Sequence, residues 1–268
     1  NAYFGAIVGP LAGRISHAKI PFKEGVFEFE PNEGKHLLHG GAKCFSNTNW
    51  ELVSLQEAPF PCVTLALETK SSQIDLPGNL RCEVTYCLKD FALELHIESI
   101  ALEDTLANPT QHSYFNPNGH HGSVLDTEAW IAADSYIELN KKKLPTGHIL
   151  PLIGDTSPSS NLGYPLHSIF EGLDHSFILN AKQLQAKLIA ADGFELRFDT
   201  NQPVIQVYVG GAVAFKGKEG LEYHKYAGIC LEQQAEPDAP NQPNFSDIYL
   251  RKGQRKTNSL LINFEQSK

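Results

Sequence analysis

The stretch "LRCEVTYCLKDFALELHI" (80–97) constrains the fold most, because its apolar residues recur at every second position. Leu80, Cys82, Val84, Tyr86 and Leu88 fall on one face, and Phe91, Leu93, Leu95 and Ile97 on one face of the run that follows. Period two is the spacing of a strand with one buried side. Only Lys89 and Asp90 separate the two runs, which predicts a tight hairpin. "VFEFE" (26–30), "VIQVYVG" (204–210) and "SLLINF" (259–264) repeat the pattern. "QAKLIAADGFELRFD" (185–199) reads as a second hairpin, with Asp192-Gly193 supplying the positive-φ turn. No segment sustains a helical period for three turns. Sixteen prolines and 21 glycines spread along the chain suit many turns between short strands. The expectation is an all-β fold, a large antiparallel sandwich with few or no helices, forming one domain over residues 1–268. "GDTSPSSNLGYP" (154–165) reads as a long surface loop.

Composition excludes several classes of partner. A hydrophobic fraction of 41% supports a sizeable core, and the formal net charge is −9 with five arginines. That balance argues against a nucleic-acid surface, where clustered Lys and Arg neutralise phosphates. "NKKKL" (140–144) is the one short basic run, read as a solvated turn. Five cysteines without CxxC spacing read as reduced core residues in a reducing compartment, hence a cytoplasmic protein. No run of 18 apolar residues and no basic-then-apolar leader occurs, so neither a membrane span nor a signal peptide is expected. The sequence holds no methionine, not even an initiator, which suggests processing or a fragment.

Polar residues gather where apolar strands end. In "GICLEQQAEPDAPNQPNF" (228–245), Glu232 closes a run of Ile229, Cys230 and Leu231. Burial there raises a carboxyl's pKa and costs stability unless the group is used. Cys230, Glu232 and Gln234 share a face, so Gln234 is a candidate to orient the acid. "HLLHGG" (36–41) sets His36 and His39 around two leucines, before a glycine pair that permits close backbone approach. "TQHSYFN" (110–116) places His112 before Tyr114 and Phe115, "GLDHSFIL" (172–179) places Asp174-His175 at a strand entry, and Gln206 and Tyr208 share a strand face. Singly, each fits an ordinary core histidine, cap or wet strand face. His39, His112, His120, His121 and His175 invite a metal reading, but no HxH, HExxH or CxxC spacing accompanies them, so no metal is expected. A Ser-His-Asp triad lacks the GxSxG elbow.

Together with "FGAIVGPLAGRI", "LPTGHIL" and "VIQVY", these motifs stand in one order across essentially the whole chain. In that order they resemble the aldose 1-epimerase, or galactose mutarotase, family. The resemblance implies a β-supersandwich, with Glu232 as catalytic base and His112 as general acid. It implies sugar-binding roles for Arg14, His39, Asp174 and Gln206. The departures lie beside these groups: Gly9-Pro10 replaces the usual Gly-Arg, Gly13 precedes Arg14 in place of Asn, Gln111 replaces Asn, Gln233 replaces Thr, Gly211-Ala212 replaces Gly-Asn, and His36 replaces an Asn. The family also carries further strands before the segment matching "YFGAIVG", so the chain is expected to lack N-terminal strands.

Exchange of α and β anomers requires a proton removed from the C1 hydroxyl and one delivered to the ring oxygen. One base and one acid suffice, and no cofactor is needed. The alternatives are a non-catalytic sugar-binding or sensor protein, and a phosphosugar (glucose-6-phosphate-type) 1-epimerase. The latter would be marked by an arginine-rich phosphate clamp.

Overall fold

The computed structural model describes residues 3–69, 74–119, 122–152, 164–165, 173–180 and 184–266. Among them there is no α-helix, only strands and short 3-10 turns. Two antiparallel sheets dominate. The larger has nine strands in the order Tyr164–Pro165, Glu128–Ile131, Ala186–Ile189, Phe194–Thr200, Arg255–Gln266, Ala92–Ala101, Leu80–Lys89, Cys62–Glu68 and Glu51–Gln56. The smaller has six, in the order Tyr114–Phe115, Ile229–Gln234, Val204–Tyr208, Asp174–Leu179, Ala133–Leu139 and Pro145–Pro151. One apolar core takes residues from both.

The alternating stretch forms the expected hairpin. Lys89 pairs with Ala92, leaving Asp90-Phe91 as the loop, and Asp90 takes a φ of 52°. Leu80, Cys82, Val84, Leu95 and Ile97 are buried as the alternation predicts. Leu88 and Phe91 are not: they are 53% and 81% exposed. Phe91 lies in the turn itself, and the hairpin tip extends beyond the layer that covers its base. In the second hairpin Gly193 alone supplies the positive φ, 84°. The stretch 154–165 lies almost wholly outside the described residues.

The cysteine expectation needs correcting. Cys62 and Cys87 face each other across paired strands with Cα atoms 4.2 Å apart, and their sulfurs are bonded. That separation is the close pairing of an antiparallel ladder, which brings opposed side chains together. Cys44, Cys82 and Cys230 are free and buried.

The six-stranded sheet positions the site through simple parity. Its odd-numbered residues Phe177, Ile205, Val207, Ile229 and Leu231 enter the core. Burying each contributes roughly 1.5–3 kcal/mol. A one-residue slip would turn these outward and drive Gln206 and Glu232 into the core, so the register is fixed. The even-numbered residues consequently face the other way, in two cross-strand rows. Ser176, Gln206 and Glu232 are paired partners in one row. Asp174, Tyr208, Cys230 and Tyr114 form the other.

Candidate active site

The even face of this sheet is the floor of a cavity of about 460 Å³. A hexose-sized ligand fits the lower part of the usual range for small-molecule sites. All six residues singled out in the sequence, Arg14, His39, His112, Asp174, Gln206 and Glu232, line it. The wall opposite the sheet comes from the N-terminal third of the chain. Arg14 and Leu38 pair in a short ladder, and His39 follows with a φ of 51°. The glycine pair after it has a specific cause. A Cβ on Gly40 would lie 2.3 Å from the Gly9 carbonyl oxygen, so only glycine lets these loops close on each other.

Side-chain amides tie His112 and Glu232 to one frame. Gln111 donates from Nε2 to the Leu231 carbonyl at 2.7 Å and accepts from the Ser113 N–H at 2.7 Å. The loop bearing His112 is thus pinned to the strand bearing Glu232. Where that strand ends, Asn108 takes the place of a neighbouring strand: it accepts from the Ala235 N–H at 2.8 Å and donates to the Ala235 carbonyl at 3.1 Å. Glu232 therefore sits in an interior, fully buried strand and not at a solvated end.

At the Asp174 end the charges are paired. Gln206 Nε2 donates to Asp174 Oδ1 at 2.8 Å, and Lys143 Nζ donates to Oδ2 at 2.8 Å. Ser176 Oγ donates to Gln206 Oε1, fixing which way the amide points. Arg14 makes a two-pronged ion pair with Glu33 at 2.6 and 2.9 Å, and its third nitrogen lies 3.9 Å from Asp174. Such bidentate contacts hold the guanidinium plane in place.

At the other end, Glu232 Oε1 lies 3.6 Å from His112 Nε2, and Glu232 Oε2, itself buried, has no hydrogen-bond partner. Gln234 does not orient the acid; its own amide is buried without a partner. Desolvation raises the Glu232 pKa well above the carboxylate range, Asp174 adds to this, and Arg14 opposes it. Desolvation lowers His112 to about 4, against smaller opposing effects of a hydrogen bond to its own backbone and of Asp174. Burial thus holds this pair neutral, although the separation would suit an ion pair.

His39 is pushed well below the usual histidine range, first by desolvation and then by His112 and Arg14. Its Nδ1 accepts from the Gly13 N–H at 3.2 Å, which leaves the proton of the neutral ring on Nε2. His39, His112 and Glu232 bring one potential ligand atom each within 4.8 Å of one another, the spacing of a metal centre. The tautomer opposes that use. With Nδ1 occupied as an acceptor, His39 offers the cavity an N–H donor and not a lone pair.

The sequence reading missed several contributors. Lys143, read as part of a solvated turn, reaches back to Asp174, and Glu33 orients Arg14. Ser176 lies two residues beyond Asp174 on the same face, so strand parity could have found it. Tyr3 packs against both His39 and His112, at ring separations of 4.9 and 5.7 Å. Tyr114 lines the cavity, whereas Phe115 points the other way, against Phe198. His175 faces Tyr136, and His36 accepts from the His17 N–H. His120 and His121 lie outside the described residues.

The model of a protein family described as aldose 1-epimerase matches residues 1–263. The chain belongs to the aldose 1-epimerase family. It is 34% identical to a galactose mutarotase of Rattus norvegicus over 273 residues, covering 98% of this chain and 79% of that protein. It is 31% identical to an aldose 1-epimerase of Haemophilus influenzae, covering 92% and 76%. Among solved structures, a GalM/aldose epimerase homologue from C. elegans superposes with a TM-score of 0.92 at 26% identity, covering 100% of this chain and 84% of that one. A galactose 1-epimerase from Lactobacillus acidophilus shares the fold, with a TM-score of 0.83 at 24% identity. The fold of this family member is accordingly the mutarotase-type β-sandwich. No described helix is long and apolar enough to cross a membrane.

Proposed function

We propose that the cavity binds a small free aldose and interconverts its α and β anomers, with Glu232 as base and His112 as acid. The observation that carries this reading is the pair itself. A carboxyl and an imidazole, both buried, stand 3.6 Å apart at the end of a cavity whose other end is lined with donors and acceptors. Glu232 takes the proton of the C1 hydroxyl while His112 delivers one to the ring oxygen. The C1–ring oxygen bond breaks and a carbonyl forms at C1. Rotation about C1–C2 presents the other carbonyl face, and the reverse transfers reclose the ring.

The protonation states fit this cycle when the two groups are treated as a pair. Carboxylate plus imidazolium carries one proton, and so does carboxyl plus neutral imidazole. Opening the ring converts the first arrangement into the second, which is the one burial favours. Desolvation therefore assists the two proton transfers that open the ring. His39 Nε2–H and Arg14 supply donors to sugar oxygens, and Asp174 and Gln206 supply the acceptor and amide that distinguish hydroxyl positions.

A phosphosugar substrate is disfavoured, because the Lys and Arg that line this cavity among the described residues, Arg14 and Lys143, are engaged by carboxylates. Polarimetry on freshly dissolved α-galactose and α-glucose tests the activity. Optical rotation is expected to relax faster than the spontaneous change in proportion to protein concentration. Binding of either sugar without acceleration would leave a sugar-binding protein instead.

A further inference from the structure

We propose that a second cavity, adjoining the catalytic one, is a subsite for a further sugar unit joined to O6 of the reacting aldose. The proposal rests on the epimerase reading, whose substrate it extends. This second cavity has a volume of about 620 Å³ and shares Tyr114, Val213 and Phe215 with the first. Its position follows from the strand order. Across the six-stranded sheet, the strands of Asp174, Gln206, Glu232 and Tyr114 follow one another. Tyr114 therefore stands beyond the reacting pair, on the side away from Asp174, with its ring 5.2 Å from that of His112. An aldose with C1 at Glu232 and its ring oxygen at His112 has C5 next to that oxygen. The C6 arm is then the one nearest Tyr114, and the C2, C3 and C4 hydroxyls are left to the Asp174 end. The C1 hydroxyl must stay free to react, so an extension past Tyr114 leaves from O6.

The walls suit a sugar ring. Phe215 and Tyr223 pair directly across a two-stranded hairpin, so both rings project from one face. Phe4 meets them at ring separations of 5.3 and 6.5 Å, and meets Tyr114 at 4.6 Å. A Cβ on Gly217 would collide with the Tyr223 ring, so glycine seats that ring against the backbone. Phe4 and Phe215 nevertheless stay 45% and 42% exposed. Open aromatic faces beside polar groups match a pyranose, which has apolar C–H faces and a polar rim. Ser113, Lys216 and Lys218 line the same cavity and bring hydrogen-bond donors. A phosphate on O6 is the poorer fit, because both lysines are exposed and their charges are screened.

The test compares disaccharides whose reducing unit is always glucose: isomaltose and melibiose, joined through O6, and maltose, joined through O4. Exchange NMR on the anomeric protons measures interconversion at equilibrium, so no pure anomer is required. Wild type is expected to act on both O6-linked sugars with kcat/KM about tenfold above that for maltose. Tyr223→Ala and Phe4→Ala should each lower that kcat/KM about five- to tenfold and leave the rate on glucose unchanged. Maltose handled as well as isomaltose would overturn the proposal, as would variants that slow glucose equally. Glucose 6-phosphate surpassing isomaltose would also overturn it, by giving the cavity to the lysines. Should neither variant fold, the wild-type preference between linkages decides. If glucose itself is not accelerated, the epimerase reading falls. Calorimetric binding of isomaltose, weakened in Tyr223→Ala or not, then decides the subsite alone.

Discussion

At one end of the cavity Asp174 receives hydrogen bonds from Gln206 and Lys143, both at 2.8 Å, with Arg14 close behind. At the other, Glu232 has one oxygen 3.6 Å from His112 and one with no partner. Both carboxyls project from the same face of the same sheet, separated only by the Gln206 strand. The difference between them is solvation. Where charges are paired and near the rim, a carboxylate serves as a fixed acceptor for hydroxyl groups. Where the group is desolvated and unpaired, its proton becomes transferable. The two ends should therefore respond differently to mutation, one in kcat and the other in KM.

The largest effect belongs to Glu232→Gln, which keeps the shape and removes the base. A kcat loss of about 10²–10⁴ is expected, with folding retained by circular dichroism. A near-wild-type polarimetric rate in that variant would remove Glu232 from the chemistry. His112→Asn comes next, at about 10²-fold in kcat. A change confined to KM would instead assign His112 to the recognition end.

Asp174→Asn probes that recognition end. Losing the charged acceptor is expected to raise KM about tenfold while kcat falls much less, since a hydrogen bond to a charged group contributes about 1.5–3 kcal/mol. Lys143→Ala should do the same more weakly, about two- to fivefold in KM, because the lysine is half exposed and its ion pair is screened. A kcat loss matching that of His112→Asn in either variant would erase the distinction between the ends.

The pH dependence sharpens the comparison further. The reactive pair works with one shared proton. Below about 4, His112 takes up a second proton and no base remains. Above the raised pKa of Glu232, the pair loses its proton and no acid remains. The pH profile of kcat/KM should accordingly be a bell spanning those two steps. In Asp174→Asn the alkaline limb should move down, since Asp174 helps hold the Glu232 proton. An unmoved limb would mean that the two ends are electrostatically independent.

Much of this was legible in the sequence, for physical reasons. Period-two alternation disclosed the strands because one face of each is buried, and the same parity put Gln206 and Glu232 on polar faces. What was hidden depended on long-range register. Cys62 and Cys87 become neighbours only once two strands pair, and alternation could not say that Leu88 and Phe91 lie beyond the covered part of their hairpin. Lys143 sat in a basic triplet that reads as solvated, and its partner is 31 residues away. The tautomer of His39 depends on a partner 26 residues distant.

The state of Glu232 is the point on which the rest depends. A carbon-13 NMR titration of its side-chain carboxyl, assigned with Glu232→Gln, observes that state without substrate. The carboxyl is expected to remain neutral well above the ordinary glutamate range, as its burial and the neighbouring Asp174 require. Ionisation at an ordinary glutamate value would contradict the shared-proton pair.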